Sequence, residues 1–174
     1  MAELDNEKFL IDANSFITPH LQFYPFDFAK SFWSQIEAQI EIGSIVILDM
    51  VKAEVLRGND NLKDWMEHLT IGEYVDHRQT DIMAKYGEVL RHLQNNPCYK
   101  PSALTEWSRD TVADAWLIAT AATKGYTIIT FETANNGLST CNPSKKAKIP
   151  TIASEFGVHT ENLYYMMRTL GFKL

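Results

Sequence analysis

Cysteine is nearly missing from this chain. Cys98 and Cys141 are the only two in 174 residues, and no CxxC pair occurs. That argues against a disulfide framework and against a thiolate metal site. No stretch approaches the ~18 consecutive apolar residues that a membrane-spanning helix needs. The opening MAELDNEKFL is acidic and lacks the basic-then-apolar order of a secretion signal, so a cytoplasmic location and no membrane partner are expected. Positive charge is in deficit as well. The 16 Lys and Arg stand against 22 Asp and Glu, a net charge of −6. That is the wrong overall sign for a protein that coats DNA, but it suits a site that collects cations. No glycine-rich turn follows the first apolar run and no GxxxxGK appears, which argues against dinucleotide- and nucleotide-binding loops. GxSxG is absent, which argues against a serine hydrolase of that type. An aspartyl phosphatase would place a second Asp two residues after Asp12, where this chain has Asn14. Internal repeats and low-complexity linkers are absent too.

What remains is an ordinary globular composition, 45% apolar and 22% charged, long enough for one domain over residues 1–174 with a real core. Strand-like runs are Phe9 to Ile11, Ile45 to Leu48 and Thr127 to Thr130. A short run at Ile149 to Ile152 and a weaker one at Tyr74 and Val75 join them. Helical stripes lie between: Phe28, Phe32, Ile36, Ile40; then Leu62, Trp65, Met66, Leu69; then Ile82, Tyr86, Val89, Leu90, Leu93. A further helix is expected from about Asp110 to Lys124, closed by Gly125, and Thr160 is a candidate cap for a last one. NNPCYKPS and ANNGLSTCNPSKK read as loops. Short strands that are apolar on both faces and alternate with helices imply an α/β layer fold with a mostly parallel sheet. Such sheets bind ligands outside the carboxyl ends of their strands.

Acids stand at those ends. Asp12 follows Phe9 to Ile11, and Glu132 follows YTIIT. Asp49 is a natural cap for the helix begun by ILDMVKAEVLRG, and Glu54 lies about one and a half turns inside it. Asp110 and Asp114, four residues apart, are expected on one helical face, where like charges repel by roughly 0.2–0.5 kcal/mol when exposed. A divalent cation among Asp12, Glu54, Asp114 and Glu132 would reverse that sign, and such hard oxygen ligands suit Mg²⁺ or Mn²⁺.

In order, IDANSFI, AEVLRG, ADAWLIATA and TIITFE resemble the motifs of PIN-domain nucleases, and the likeness extends to VapC-type toxins of bacterial toxin–antitoxin pairs. These anchors run from Phe9 to Glu132, and KIPTIASEFGV looks like a fifth strand and closing helix. The chain is longer than most of those toxins, as in a divergent PIN-like subgroup. The resemblance implies a five-stranded sheet of order 3-2-1-4-5 with helices on both faces. It implies Asp12, Glu54 and Asp114 as the first three acids of a Mg²⁺- or Mn²⁺-dependent ribonuclease, with Asn14 and Thr130 as flanking polar groups. Glu132 stands where the family usually has Asp or Asn, one methylene longer, which puts the second metal in question. An antitoxin encoded nearby is the implied partner.

Taken singly, each acid has a structural use: Asp12 as an Asx turn or cap, Asp49 and Asp110 as caps, Glu54 on a solvated helix face and Glu132 in an exposed loop. Asp114 fits such a use least, because its neighbours from Val112 to Ile118 are apolar. The five histidines are scattered without metal spacing. NLYYMMRTLGF reads as core or as a homodimer surface. Lys52, Arg57, Lys63 and Arg109 flank the acid motifs and SKKAK follows Glu132, so either a phosphate backbone or plain solvent faces them. With few basic residues, single-stranded or loop RNA is a better substrate than duplex DNA. The competing function is a PIN-like module without catalysis that binds RNA or protein.

Overall fold

The structure is a computed structural model that describes residues 7–174. Five short strands form one parallel sheet: β1 (Phe9–Ile11), β2 (Ile45–Leu48), β3 (Tyr74–Val75), β4 (Thr127–Ile129) and β5 (Thr160–Glu161). Their order is β3-β2-β1-β4-β5, and every pairing is parallel. Phe9 sits opposite both Ile45 and Thr127, and Leu10 opposite Val46 and Ile128. β1, β2 and β4 are buried throughout, which is why they carry continuous apolar runs rather than alternation.

Parallel pairing demands crossovers, and helices supply them. α1 (Asn14–Thr18), which runs on through a π-helical turn at Pro19–Phe23, and α2 (Lys30–Glu41) join β1 to β2. α3 (Asp49–Leu56) and α4 (Asn61–His68) lead to β3. α5 (Thr80–Asn95), α6 (Pro101–Trp107) and α7 (Asp114–Lys124) lead to β4. α8 (Ile149–Glu155) leads to β5, and α9 (Leu163–Thr169) closes the chain. On α7 the small residues Ala115, Ala119 and Ala121 are at most 2% exposed, so the helix can lie close to its neighbours. Its outer Trp116 stacks on Tyr86 of α5 with ring centroids 3.6 Å apart. Gly125, at φ 77°, ends α7 in the left-handed conformation that glycine adopts freely.

Four local expectations are corrected. Residues 149–152 are the start of α8, not a strand. Ile149, Ile152 and Ala153 are buried at helical spacing, and Pro150 suits a first helical turn but would remove a ladder bond from a strand. The fifth strand is instead Thr160–Glu161, so Thr160 does not cap α9. Asn162 does, its side chain accepting the Tyr165 N–H at 3.0 Å. Asp110 lies in the exposed turn before α7, so it shares no helical face with Asp114. Phe28 is 84% exposed and precedes α2, leaving Phe32, Ile36 and Ile40 as its buried stripe. Among the described residues, no helix is long and apolar enough to cross a membrane. From NLYYMMRTLGF, Leu163, Met166 and Met167 pack into the core.

Candidate metal centre

Four acids gather at the carboxyl edge of the sheet by four routes. The Asp12 N–H donates to the Ile129 carbonyl at 2.9 Å, extending the β1–β4 pairing by one step and fixing where its side chain emerges. The carboxylate, only 4% exposed, accepts the Thr130 hydroxyl at 3.0 Å, and Thr130 Oγ1 accepts the Glu132 N–H at 3.1 Å. Thr130 thereby couples the ends of β1 and β4. The buried Ser15 hydroxyl donates to the same Ile129 carbonyl at 3.2 Å and ties α1 to β4. Glu54 projects from within α3, and Asp114 is the first residue of α7.

The electrostatics record the convergence. Burial pushes Asp12 up to about 6; Glu54 and Glu132 add to this, against hydrogen bonds from Thr130 and the Ala13 amide. Burial pushes Asp114 further, to about 7, and Asp12, Glu132 and Glu54 each raise it while Lys148 opposes. Glu54 is also raised by burial, against the pull of Arg57. Among the described residues, no donor hydrogen-bonds to the Glu54 or Asp114 carboxylate. Carboxylates that face one another without donors cost free energy in the charged form, and a hard divalent cation relieves that cost. An all-oxygen donor set with no thiolate or imidazole fits Mg²⁺ or Mn²⁺.

Glu132 is placed differently from the other three. Its Oε1 lies 3.2 Å from Lys148 Nζ, and its Oε2 accepts the Ile149 N–H at 2.8 Å. Both oxygens are thus occupied within the chain. Beyond it opens a cavity of about 530 Å³ lined by Asp114, Glu132, Trp107, Lys145, Lys146 and Lys148, among others.

The flanking residues divide. Thr130 touches the cluster through Asp12. Asn14 is exposed on the first turn of α1, and Asp110 is exposed outside the cluster. Arg57 stands beside Glu54 and donates to the Thr111 carbonyl at 3.1 Å. Arg109 pairs with Glu106, a residue of the cavity wall, at 3.0 Å. Lys52 lies over the Tyr74 ring at 5.9 Å, toward the β2–β3 side.

A second group escaped the sequence reading. Asp49, Asp76 and His77, just beyond β2 and β3, bring potential ligand atoms within 4.8 Å of one another, closer than the four acids stand. Each of its carboxylate oxygens already has a partner within the chain. Asp49 accepts His77 Nδ1 at 2.6 Å and the Met50 N–H at 2.8 Å, and Asp76 takes both Nε and Nη2 of Arg78 at 3.0 Å. Asp49 is accordingly the first residue of α3 and a brace to the end of β3. The signal for it was the Asp-His pair directly after a strand.

Fold and pocket together define a parallel α/β domain with an acidic centre at the carboxyl edge of its sheet. The chain belongs to the family described as Domain of unknown function (DUF4411), which it matches over residues 9–174. Comparison with curated proteins finds no match.

Proposed function

We propose that this protein is a metal-dependent endoribonuclease of the PIN type, acting as the toxin of a toxin–antitoxin pair. One observation carries the reading: Asp12 after β1 and Asp114 at the start of α7 each feel the charges of Glu54 on α3 and of Glu132, all on the ligand side of a 3-2-1-4-5 sheet. Asp12, Glu54 and Asp114 would hold Mg²⁺ or Mn²⁺. When bound, such a cation would make an attacking water more acidic and would stabilise charge building on the phosphate oxygens. Thr130 keeps the Asp12 carboxylate oriented through its hydrogen bond. Hydrolysis joins a water oxygen to phosphorus and breaks the P–O3′ bond. The water proton ends on the departing 3′-oxygen, leaving a 5′-phosphate and a 3′-hydroxyl.

A second reading, a PIN-like module that binds RNA or protein without cutting, draws on the internal engagement of Glu132. Labelled hairpin RNA, single-stranded RNA and duplex DNA, offered with Mn²⁺ to the parent and to Asp114→Asn, separate the two. Cleavage of the unpaired RNA by the parent alone supports the nuclease. RNA bound but never cut favours the binding module, and preferred cutting of duplex DNA moves the substrate class. Toxicity on expression, relieved by the product of a neighbouring gene, would support the toxin role.

A further inference from the structure

The loop between β4 and α8 brings three lysines to a wall of the cavity that Asp114 and Glu132 line, and its backbone is anchored. Ser144 N–H donates to the Cys98 carbonyl and Lys100 N–H to the Ser144 carbonyl, both at 2.8 Å. Asn135 Nδ2 and the Ser144 hydroxyl donate to the Lys146 carbonyl at 3.1 and 2.8 Å. The strip is thus pinned against the segment that precedes α6. Among the described residues, neither Lys145 nor Lys146 forms an ion pair, and both are exposed. Lys148 meets Glu132, and its side chain keeps 36% of its surface open. In a chain of net charge −6, three ammonium groups on a fixed strip beside an acid cluster are a local inversion of charge.

We propose that Lys145, Lys146 and Lys148 form a phosphate-binding subsite for a single-stranded RNA backbone, in which Lys148 also withdraws Glu132 from the metal-ligand set and serves as the centre's second positive charge. The subsite rests on the nuclease reading. Three features of the wall support it. The cavity of about 530 Å³ lies within the ~300–1,000 Å³ typical of ligand pockets. Its one aromatic, Trp107, is only 2% exposed, so it offers no ring for a base to stack on, and the group recognised is the backbone rather than the base. Glu132, held by Lys148 Nζ and the Ile149 N–H, has no oxygen left without a partner, whereas the Asp114 carboxylate has no donor among the described residues. The Lys148 ammonium, tethered by Glu132, can meet phosphate charge there without a second metal ion.

The test has two readouts besides activity. Binding of a labelled single-stranded RNA of mixed sequence is measured in EDTA, over a range of salt, for the parent, Lys148→Gln, Lys148→Arg and Lys145→Gln/Lys146→Gln. Mn²⁺ binding is measured by calorimetry for the parent, Glu132→Gln and Asp114→Asn. Lys148→Gln is expected to weaken RNA about 10-fold and to lower the salt slope by about 0.7 per charge removed; Lys148→Arg restores most of the binding. The double variant weakens RNA further. Glu132→Gln is expected to keep Mn²⁺ affinity within about twofold, while Asp114→Asn loses it. RNA binding in EDTA that ignores all three lysines, or a parent that does not bind RNA at all, overturns the subsite. Loss of Mn²⁺ by Glu132→Gln as severe as that by Asp114→Asn overturns the second-charge role of Lys148. Failure of the nuclease reading shows elsewhere, as a parent that neither binds Mn²⁺ nor cuts RNA.

Discussion

The two ends of the sheet treat buried charge in opposite ways. At the amino ends, Glu73 precedes β3 and is met by Lys8, just before β1, and by the Tyr126 hydroxyl, just before β4. Burial alone would raise its pKa, but the Lys8 and Tyr126 hydrogen bonds and the charges of Lys8 and Lys124 outweigh burial and hold it below the usual value. Nearby, Glu7 accepts the Thr127 hydroxyl at 2.7 Å and the Tyr165 hydroxyl at 3.1 Å. At the carboxyl ends, Asp12 and Asp114 face further acids and are raised to about 6 and about 7, burial being the larger cause for each. One end satisfies its charges within the chain and serves the fold. The other leaves the Glu54 and Asp114 carboxylates with no hydrogen-bond donor among the described residues, as the proposed cation centre requires.

The largest expected effect breaks the comparison at its functional side. Asp114→Asn should lower Mn²⁺-dependent RNA cleavage by at least about 100-fold, since even outer-shell partners of metal ligands cost 10–100-fold. With one fewer like charge, its apo form should melt at a higher temperature than the parent. Glu73→Gln should leave cleavage within twofold. An assay of both variants in which Glu73→Gln was the inactive one would reverse the assignment of the two ends.

Metal linkage comes next in size. At 100 times its dissociation constant, Mn²⁺ should stabilise the fold by about 2.7 kcal/mol. For a chain of this length that is about 5–11 °C in melting temperature. The gain should shrink in Asp12→Asn, and an equal gain there would place the ion elsewhere.

Much of this contrast was legible in the strand-end acids. Asp12 and Glu132 were found because uninterrupted apolar runs mark buried parallel strands, whose direction sets the ligand side. Asp114 was found because a charge inside ADAWLIATA has no apolar use. Order 3-2-1-4-5 followed from the likeness of four motifs, not from periodicity. The failures have physical causes. The β-branched residues of IPTI suit a strand, but Pro150 and the 149/152/153 spacing favour the helix that forms. Asp110 was placed on a helix that begins only at Asp114. The partnership of Glu132 with Lys148 and the Ile149 N–H joins residues across a long loop, and no local pattern encodes a loop's return. Lys52 and Arg109 looked close to the acids in sequence, but Tyr74 and Glu106 hold them.

The two ends should also differ in the sign of their pH dependence. Asp12 and Asp114 have folded pKa values raised above 3.8, so the folded apo chain holds more protons than the unfolded one between about pH 4 and 7. Their effect is a loss of stability as pH rises through that window. Glu73 is lowered from 4.5, so its contribution is present above that pH and is lost as pH falls through its folded value. Apo melting temperatures measured from pH 4.5 to 8 should therefore fall toward pH 8, less steeply in Asp114→Asn. Added Mn²⁺ should stabilise more at pH 8 than at pH 5, because it binds the ionised carboxylates. An unchanged slope in Asp114→Asn would remove that residue from the raised pair.

The smallest effect sharpens the structural end. Glu73→Gln should cost about 1 kcal/mol, about 2–4 °C, since it weakens a partly exposed ion pair but keeps a hydrogen-bonding amide. A loss as large as that from core truncation would mean that Glu73 anchors more than Lys8 and Tyr126.

The most direct measurement is calorimetric titration of Mn²⁺ into metal-free protein at pH 7.5, parent beside Asp114→Asn. Saturable binding by the parent, weakened at least 10-fold by Asp114→Asn with the fold intact, is the predicted result. Equal affinity in the two proteins, or no binding to the parent, would contradict a metal centre at the carboxyl edge of the sheet.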